Sequence, residues 1–435
     1  MVILQVPWMQ VSRSRSLLLM VKPQVFLLAI GMERTLISLF LFGAAKTLPV
    51  LVAVVEELGG AFGESAVVFA EPYNLCKVAA AFYPVGRMIR EITVILLIGF
   101  VAWAYQATCP PPPNVCGSPG GPAITAPRIK LRDGRHLAYK EHGVSKELAK
   151  YKIIFVHGFG SSRHDAAIAA NLSPEVVDEL GIYIVSFDRP GYGESDPDPK
   201  RTRKSLALDI EELADQLGLG SKFYVVGFSM GGQVVWSCLK YISHRLTGAA
   251  LIAPVINYWW PGFPANLTKE AYYLQLPQDQ WALRVAHYAP WLAYWWNTQK
   301  LFPPSAVVAR RPEIFSAQDV QLMPKLAVRQ INRAQVIQQG VHESLFRDMM
   351  IGFGTWEFDP MDLENPFPNG EGSVHLWQGD EDRLVPVILQ RYISKKLPWI
   401  HYHEIPGSGH LIADADGMTE AIIKALLLGE KVTLS

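Results

Sequence analysis

The chain has 435 residues, half of them apolar, with 40 acidic and 40 basic side chains. That length holds one large catalytic domain with something smaller beside it, and the balanced, interspersed charge leaves no case for nucleic acid or another polyanion as partner. Four cysteines, at 76, 109, 116 and 238, are too few and too scattered for a disulfide framework or a zinc site.

Residues 1–109 read as a hydrophobic, membrane-associated region. Charges are sparse, and apolar runs at 17–21, 25–30, 36–45 and 48–55 follow one another, each short or broken. The uncharged stretch 92–109 is close to the roughly 17–25 residues that a helix needs to cross hydrocarbon. Trp103 and Tyr105 near its end suit the water–lipid boundary. A transmembrane helix is expected there, with a buried core helix as the alternative. A cleavable signal peptide is the weaker reading of the N-terminus, because Lys22 and Pro23 end the apolar region after Leu17-Leu18-Leu19-Met20.

Arg87 and Arg90 precede the span, and no Lys or Arg follows it until Arg128. Positive residues favour the cytoplasmic side, so the remainder is expected in a lumen or outside, in an endomembrane such as the endoplasmic reticulum. The glycosylation pattern Asn266-Leu267-Thr268 agrees, whereas Asn171-Leu172-Ser173 is poorer because Pro174 follows it. Cys109 and Cys116 either pair in that oxidising space or stay as two free thiols. Residues 110–126, rich in Pro and Gly, read as an extended, semi-rigid linker.

From residue 127 the texture changes. Residues 129–132 and 135–140 flank Asp133-Gly134 as a hairpin. Continuous apolar strands are expected at 152–156 and 182–187, an amphipathic helix at 202–217, and strands at 222–226 and 248–253. After an interruption come a strand at 374–377, a helix at 387–396, a strand at 400–405 and a last helix at 418–428. Strands alternating with helices give an α/β fold with a mostly parallel sheet covered on both faces. Its core is assigned to 127–253 and 369–435. The interruption, 254–368, is too long for a bare loop and is expected to be a helical cap. It holds Trp259, Trp260, Trp281, Trp291, Trp295, Trp296 and Trp356, which either line a pocket or pack the cap itself.

The chemistry gathers at strand ends, where open α/β sheets bind ligands. Gly227-Phe228-Ser229-Met230-Gly231 lies between a strand and a helix, which reads as a nucleophile elbow that exposes Ser229 Oγ on a sharp turn. A serine nucleophile needs a base, an orienting acid and donors for the developing oxyanion. His410, after Pro406-Gly407-Ser408-Gly409, is the candidate base. Asp382 is the candidate acid, with Asp380 and Glu381 as competitors. The backbone N–H groups of Phe159 and Met230 are the candidate oxyanion hole. His157 is expected to shape its turn and Asp188 to brace loops. His401 and His403 alternate along a strand and are expected to pack there.

Residues 127–430 resemble the α/β-hydrolase superfamily, in the capped branch with epoxide hydrolases, dehalogenases and many esterases. The resemblance rests on His157-Gly158-Phe159-Gly160, Phe187-Asp188-Arg189-Pro190-Gly191-Tyr192-Gly193-Glu194-Ser195, the elbow, the acid loop and Gly409-His410, in that order. With its hydrophobic N-terminus the chain is similar to plant membrane-anchored members without assigned substrates. Epoxide hydrolases and dehalogenases carry aspartate at the elbow, so Ser229 disfavours both activities. Some acyltransferases of the family space His-x-x-x-x-Asp, whereas His410 and Asp414 have three residues between them.

The resemblance implies a membrane-attached serine hydrolase that cleaves carboxylic esters, lipid-like ones included, through Ser229, His410 and Asp382. No metal or organic cofactor is implied. The partners expected are a small-molecule or lipid ester and a membrane, while oligomeric state is not legible. A hydrolase-fold ligand receptor with little turnover and an acyltransferase are the alternatives.

Overall fold

A computed structural model describes residues 20–21, 24–25, 72–328 and 332–430. Most of the early apolar runs lie outside the described residues. The first long element is helix α1, Pro72–Thr108. Its part Met88–Thr108 has a mean hydropathy of 1.7 and is long and apolar enough to cross a membrane. The helix begins well before residue 92 because Arg87, Arg90 and Glu91 bound an apolar stretch without breaking a helix; both residue types are good helix formers. The chain divides into two compact units within α1, Met1–Leu97 and Ile98–Ser435.

The second unit is built on an eight-stranded sheet. Its strands are β1 (Arg128–Lys130), β2 (His136–Gly143), β3 (Tyr151–Val156), β4 (Ile182–Phe187), β5 (Phe223–Phe228), β6 (Leu246–Ile252), β7 (Val374–Gly379) and β8 (Ile400–Ile405). They lie in the order β8-β7-β6-β5-β3-β4-β2-β1. Strands β3 to β8 pair in parallel, and β2 joins β4 antiparallel with β1 at the edge. The parallel strands carry apolar residues on both faces because helices cover both. Along β3, Ile154 and Val156 enter one core while Ile153 and Phe155 enter the other, which is the strand period of two at work. The first hairpin is looser than a two-residue turn. Leu131 N–H donates to Arg135 O at 2.7 Å, and Gly134, with φ of 89°, supplies the left-handed step.

Helices α2 (Ala167–Ala170), α3 (Pro174–Leu180), α4 (Arg203–Gln216) and α5 (Met230–Tyr241) connect the strands up to β6. Thr202 caps α4 in a reciprocal box with Ser205. Helices α13 (Val387–Lys396) and α14 (Met418–Leu428) complete the two layers.

Between β6 and β7 the chain builds the cap from α6 (Ala265–Tyr273), α7 (Pro277–Tyr288), α8 (Ala293–Thr298), α9 (Ala306–Ala309), α10 (Ala317–Val328), α11 (Arg333–Val336), a π-helical turn (His342–Phe346) and α12 (Arg347–Phe353).

The linker is not a free spacer. Asn114 N–H donates to Gln339 O at 3.0 Å and Cys116 N–H to Gln339 Oε1 at 3.1 Å. Thr125 and Ala126 N–H both donate to Glu194. Cys109 is exposed, Cys116 is buried, and both are free thiols, so the disulfide alternative is not realised. Cys116 Sγ lies 3.7 Å from Gly193 O instead, and burial pushes its pKa up to about 11.

Candidate active site

The turn between β5 and α5 holds Ser229 at φ 54° and ψ −118°, a positive φ on a residue with a side chain. Such backbone is strained and persists because its surroundings fix it. Ser229 N–H donates to Ile252 O at 2.9 Å. A Cβ on Gly227 would lie 2.4 Å from Gly231 O, and one on Gly231 would lie 2.1 Å from Val156 O. Glycine at both positions lets strand, turn and helix close around the serine.

Three side chains from separate loops meet there. His410 Nε2 lies 2.9 Å from Ser229 Oγ, and His410 Nδ1 lies 2.8 Å from Asp382 Oδ2. All three are buried. Asp382 also accepts from Gln378 Nε2 at 2.9 Å and from the N–H groups of Leu384 and Val385 at 2.8 and 2.9 Å. Those donors leave the carboxylate an acceptor toward the imidazole, so Nδ1 carries the proton and Nε2 accepts from the serine hydroxyl. Burial pulls His410 toward its neutral form. The charge and hydrogen bond of Asp382, with Asp319 behind, outweigh that and hold its pKa above the ordinary 6.5. Asp382, rather than Asp380 or Glu381, is the acid that meets His410.

Phe159 and Met230 both line the same cavity as Ser229. Met230 opens α5, where an N–H has no intrahelical partner. The loop carrying Phe159 approaches closely: a Cβ on Gly158 would lie 3.1 Å from Ser229 Cβ. His157 braces this loop. Its Nδ1 lies 2.8 Å from Gly158 O and its Nε2 accepts from Arg189 N–H at 3.0 Å. Burial, then the Arg189 charge, drive it well below the usual histidine range, so it stays neutral. Asp188 is buried and accepts from the backbone of Arg163 and Glu194 and from the Arg163 guanidinium. His403 stacks on Trp377 at 3.8 Å and bonds to His375, away from the cavity lining, and His401 is exposed.

The cavity has a volume of about 560 Å³, and cap residues Leu283, Val308, Ile314, Met323, Leu326 and Phe353 supply much of its apolar wall. None of the seven cap tryptophans lines it. Trp260 lies 4.8 Å from Trp356, Trp259 stacks on His287 at 4.1 Å, and Trp296 stacks on Phe302 at 5.7 Å, while Trp281 and Trp291 are exposed on the outside of the cap. The pocket-lining alternative for these residues is thereby corrected: they pack against other rings of the cap or face outward, and much of the cap's share of the wall is made by aliphatic and Met side chains with Phe353.

Sequence reasoning missed what the cap contributes to the histidine loop. Asp319, fully buried near the start of α10, accepts from His410 N–H at 3.1 Å and Leu411 N–H at 2.7 Å. Gln318 accepts from Gly409 N–H at 2.7 Å and donates to Ser408 Oγ at 3.2 Å. A Cβ on Gly409 would lie 2.2 Å from Asp319 Oδ2, so glycine is needed for the approach. The signal in the sequence was Ser316-Ala317-Gln318-Asp319, a capping pattern. Ser316 and Asp319 do bond reciprocally, at 3.0 and 3.1 Å. The second use of Asp319, across the fold, carries no local mark. Arg310 of the cap likewise donates to Gly160 O, in the loop that carries Phe159, at 2.5 Å.

Residues 153–421 match the model of the "Alpha/beta hydrolase family". Mouse protein ABHD14A is 24% identical over 185 residues, covering 42% of this chain and 74% of that one. A probable chloroplastic sodium/metabolite cotransporter BASS4 of Arabidopsis thaliana is 47% identical over a short match, 14% of this chain. The chain spans about a fifth (20%) of that relative's length. Among solved structures, a thermophilic esterase from Thermogutta terrifontis is 22% identical with a TM-score of 0.47, covering 69% of this chain and 97% of that one. The matched residues hold all but the first two residues of the parallel part of the sheet and every loop of the site, and hydrolase chemistry is supported at the level of the family: the chain belongs to the alpha/beta hydrolase family.

Proposed function

We propose that the protein is a membrane-attached serine hydrolase of carboxylic esters, with Ser229, His410 and Asp382 as its catalytic residues. The observation that carries this reading is the pair of contacts at 2.9 and 2.8 Å that links serine, imidazole and carboxylate. Ser229 Oγ attacks the ester carbonyl as His410 Nε2 takes the hydroxyl proton. The carbonyl oxygen becomes an oxyanion and is held by the N–H groups of Phe159 and Met230. The intermediate collapses: the C–O bond to the alcohol breaks, and His410 returns its proton to the departing oxygen. Water then attacks the acyl-serine, His410 takes one of its protons, and release of the acid restores Ser229. Asp382 orients the imidazole and stabilises its charged form without itself being protonated.

The apolar wall supplied by the cap favours esters with hydrocarbon acyl chains over small polar ones, and α1 provides the attachment to lipid. A panel of p-nitrophenyl esters from acetate upward tests the reading. Multiple turnover that rises with chain length and disappears in a folded Ser229→Ala variant is the expected result. A stoichiometric ligand-induced rise in melting temperature without turnover would replace the enzyme by a ligand receptor.

A further inference from the structure

Outside the site, the cap carries a surface that the chemistry does not use. Leu274, Trp281, Tyr288, Trp291, Leu301 and Phe302 are all more than half exposed, at 65, 53, 70, 67, 76 and 51%. Tyr273, 56% exposed, adjoins Leu274, and the other described large apolar residues exposed outside α1, Ile124, Leu148, Val320 and Leu428, are scattered along the chain. Isolated exposed apolar residues need no explanation, whereas a cluster does. The rings here are linked: Trp281 lies 6.0 Å from Trp296, which lies 5.7 Å from Phe302 and 6.3 Å from Trp295.

Helix α7 relates this surface to the site. Asp279 and Leu283, one turn apart, line the cavity, while Trp281 and Tyr288 are exposed. At about 3.6 residues per turn, residue 281 points away from residues 279 and 283. One helix therefore has its inner face on the cavity and its outer face bare and aromatic.

The chain also restricts where this surface can go. Helix α1 ends at Thr108, and Asn114 is already bonded to Gln339. At about 3.3–3.6 Å per extended residue, the intervening chain reaches roughly 20 Å at most. Gln339 lies three residues before the turn whose His342 and Phe346 rings lie 6.1 and 6.2 Å from Tyr294 on α8. The tether thus docks beside the segment that carries Trp291, Trp295 and Trp296. Trp and Tyr favour the water–lipid boundary, and the Arg284 guanidinium, 5.3 Å from the Trp281 ring, adds a cation suited to phosphate headgroups.

We propose that the outer aromatic face of the cap docks on the surface of the lipid bilayer that α1 enters. The occupant is the bilayer, rather than a second copy or a protein partner, because a short tether from an apolar helix is fixed beside the patch. Docking sets the outer side of α7 on lipid with the acyl cavity on its inner side. This rests on the membrane attachment proposed above, and the test separates the two.

The full chain, with Cys76→Ser and Cys109→Ser, is reconstituted in phosphatidylcholine vesicles, and an environment-sensitive fluorophore is attached in Trp281→Cys, Leu301→Cys or, as reference, Leu148→Cys. Flotation reports attachment, and quenching reports docking. Co-flotation is expected. The Trp281→Cys and Leu301→Cys labels should be quenched severalfold more by doxyl-lipid, and severalfold less by aqueous iodide, than the Leu148→Cys label. Co-flotation with all three labels equally open to iodide would overturn docking and leave attachment standing. Iodide protection that grows with protein density, without doxyl quenching, would assign the patch to a second copy and overturn the proposal. Failure to float would overturn attachment and docking together.

Discussion

The sheet and the cap place functional groups by different means. At the sheet, Ser229, Asp382 and His410 each stand in a turn just beyond a strand, and the backbone fixes them: positive φ at the serine, paired N–H donors at the aspartate. In the cap, the conspicuous residues are tryptophans that pack on other rings or face outward, while single side chains reach across to the sheet loops. Asp319 and Gln318 hold the histidine loop, and Arg310 holds the loop that carries Phe159. The difference teaches that the sheet supplies the candidate reacting groups and the cap supplies restraint, wall and outer surface.

Asp382→Asn should have the largest effect on the sheet side after loss of Ser229 or His410. An amide offers Nδ1 the wrong partner and holds the imidazole in the wrong tautomer, so kcat should fall about 10⁴-fold. Asp380→Asn should stay within a fewfold of wild type; steady-state kinetics on one ester compares the two. A severe Asp380→Asn with a mild Asp382→Asn would move the acid to Asp380.

Asp319→Asn probes the cap's restraint. One charge beside the imidazole is lost and one of two acceptor oxygens is replaced, so kcat should fall about 10–100-fold through misplacement of His410. KM for an acetate ester should hardly change. The pH profile separates this role from simple packing. His410 must be neutral to accept the serine proton, and its raised pKa places the acid limb of kcat/KM above pH 6.5. Asp319 contributes to that elevation, so the limb should move to lower pH in Asp319→Asn. An unmoved limb with lower melting temperature would leave Asp319 a structural residue only.

The smallest effect on chemistry is expected from the tryptophans. Trp260→Ala removes a buried ring, 3% exposed, and should cost about 3–5 kcal/mol of stability without changing acyl-chain preference. Met323→Ala, in the cavity wall, should shift that preference toward longer chains. Reversal of the two outcomes on the ester panel would return the tryptophans to the pocket.

Much of the sheet was legible because its residues declare themselves locally. The runs at 182–187 and 400–405 and the helix at 387–396 match their observed bounds. Each has Gly or Pro at or near an end, the strands are short and rich in β-branched or aromatic residues, and the helix has helical apolar spacing. The elbow was legible because few turns require glycine on both sides of a serine. What stayed hidden depends on contacts distant in sequence. Nothing around Asp319 announces a partner 91 residues away, and nothing in the linker prolines foretells Gln339. The tryptophans stayed ambiguous because composition shows that an aromatic is present without showing which way it faces.

The central claim is that Ser229 forms an acyl-enzyme under the control of His410. The most direct measurement is peptide mass spectrometry after brief exposure of the folded protein to a fluorophosphonate or a slowly hydrolysed ester. The account predicts a single adduct on the peptide containing Ser229, strong in wild type, much weaker in His410→Ala and absent in Ser229→Ala. An adduct on another residue, or one that persists in folded Ser229→Ala, would contradict it.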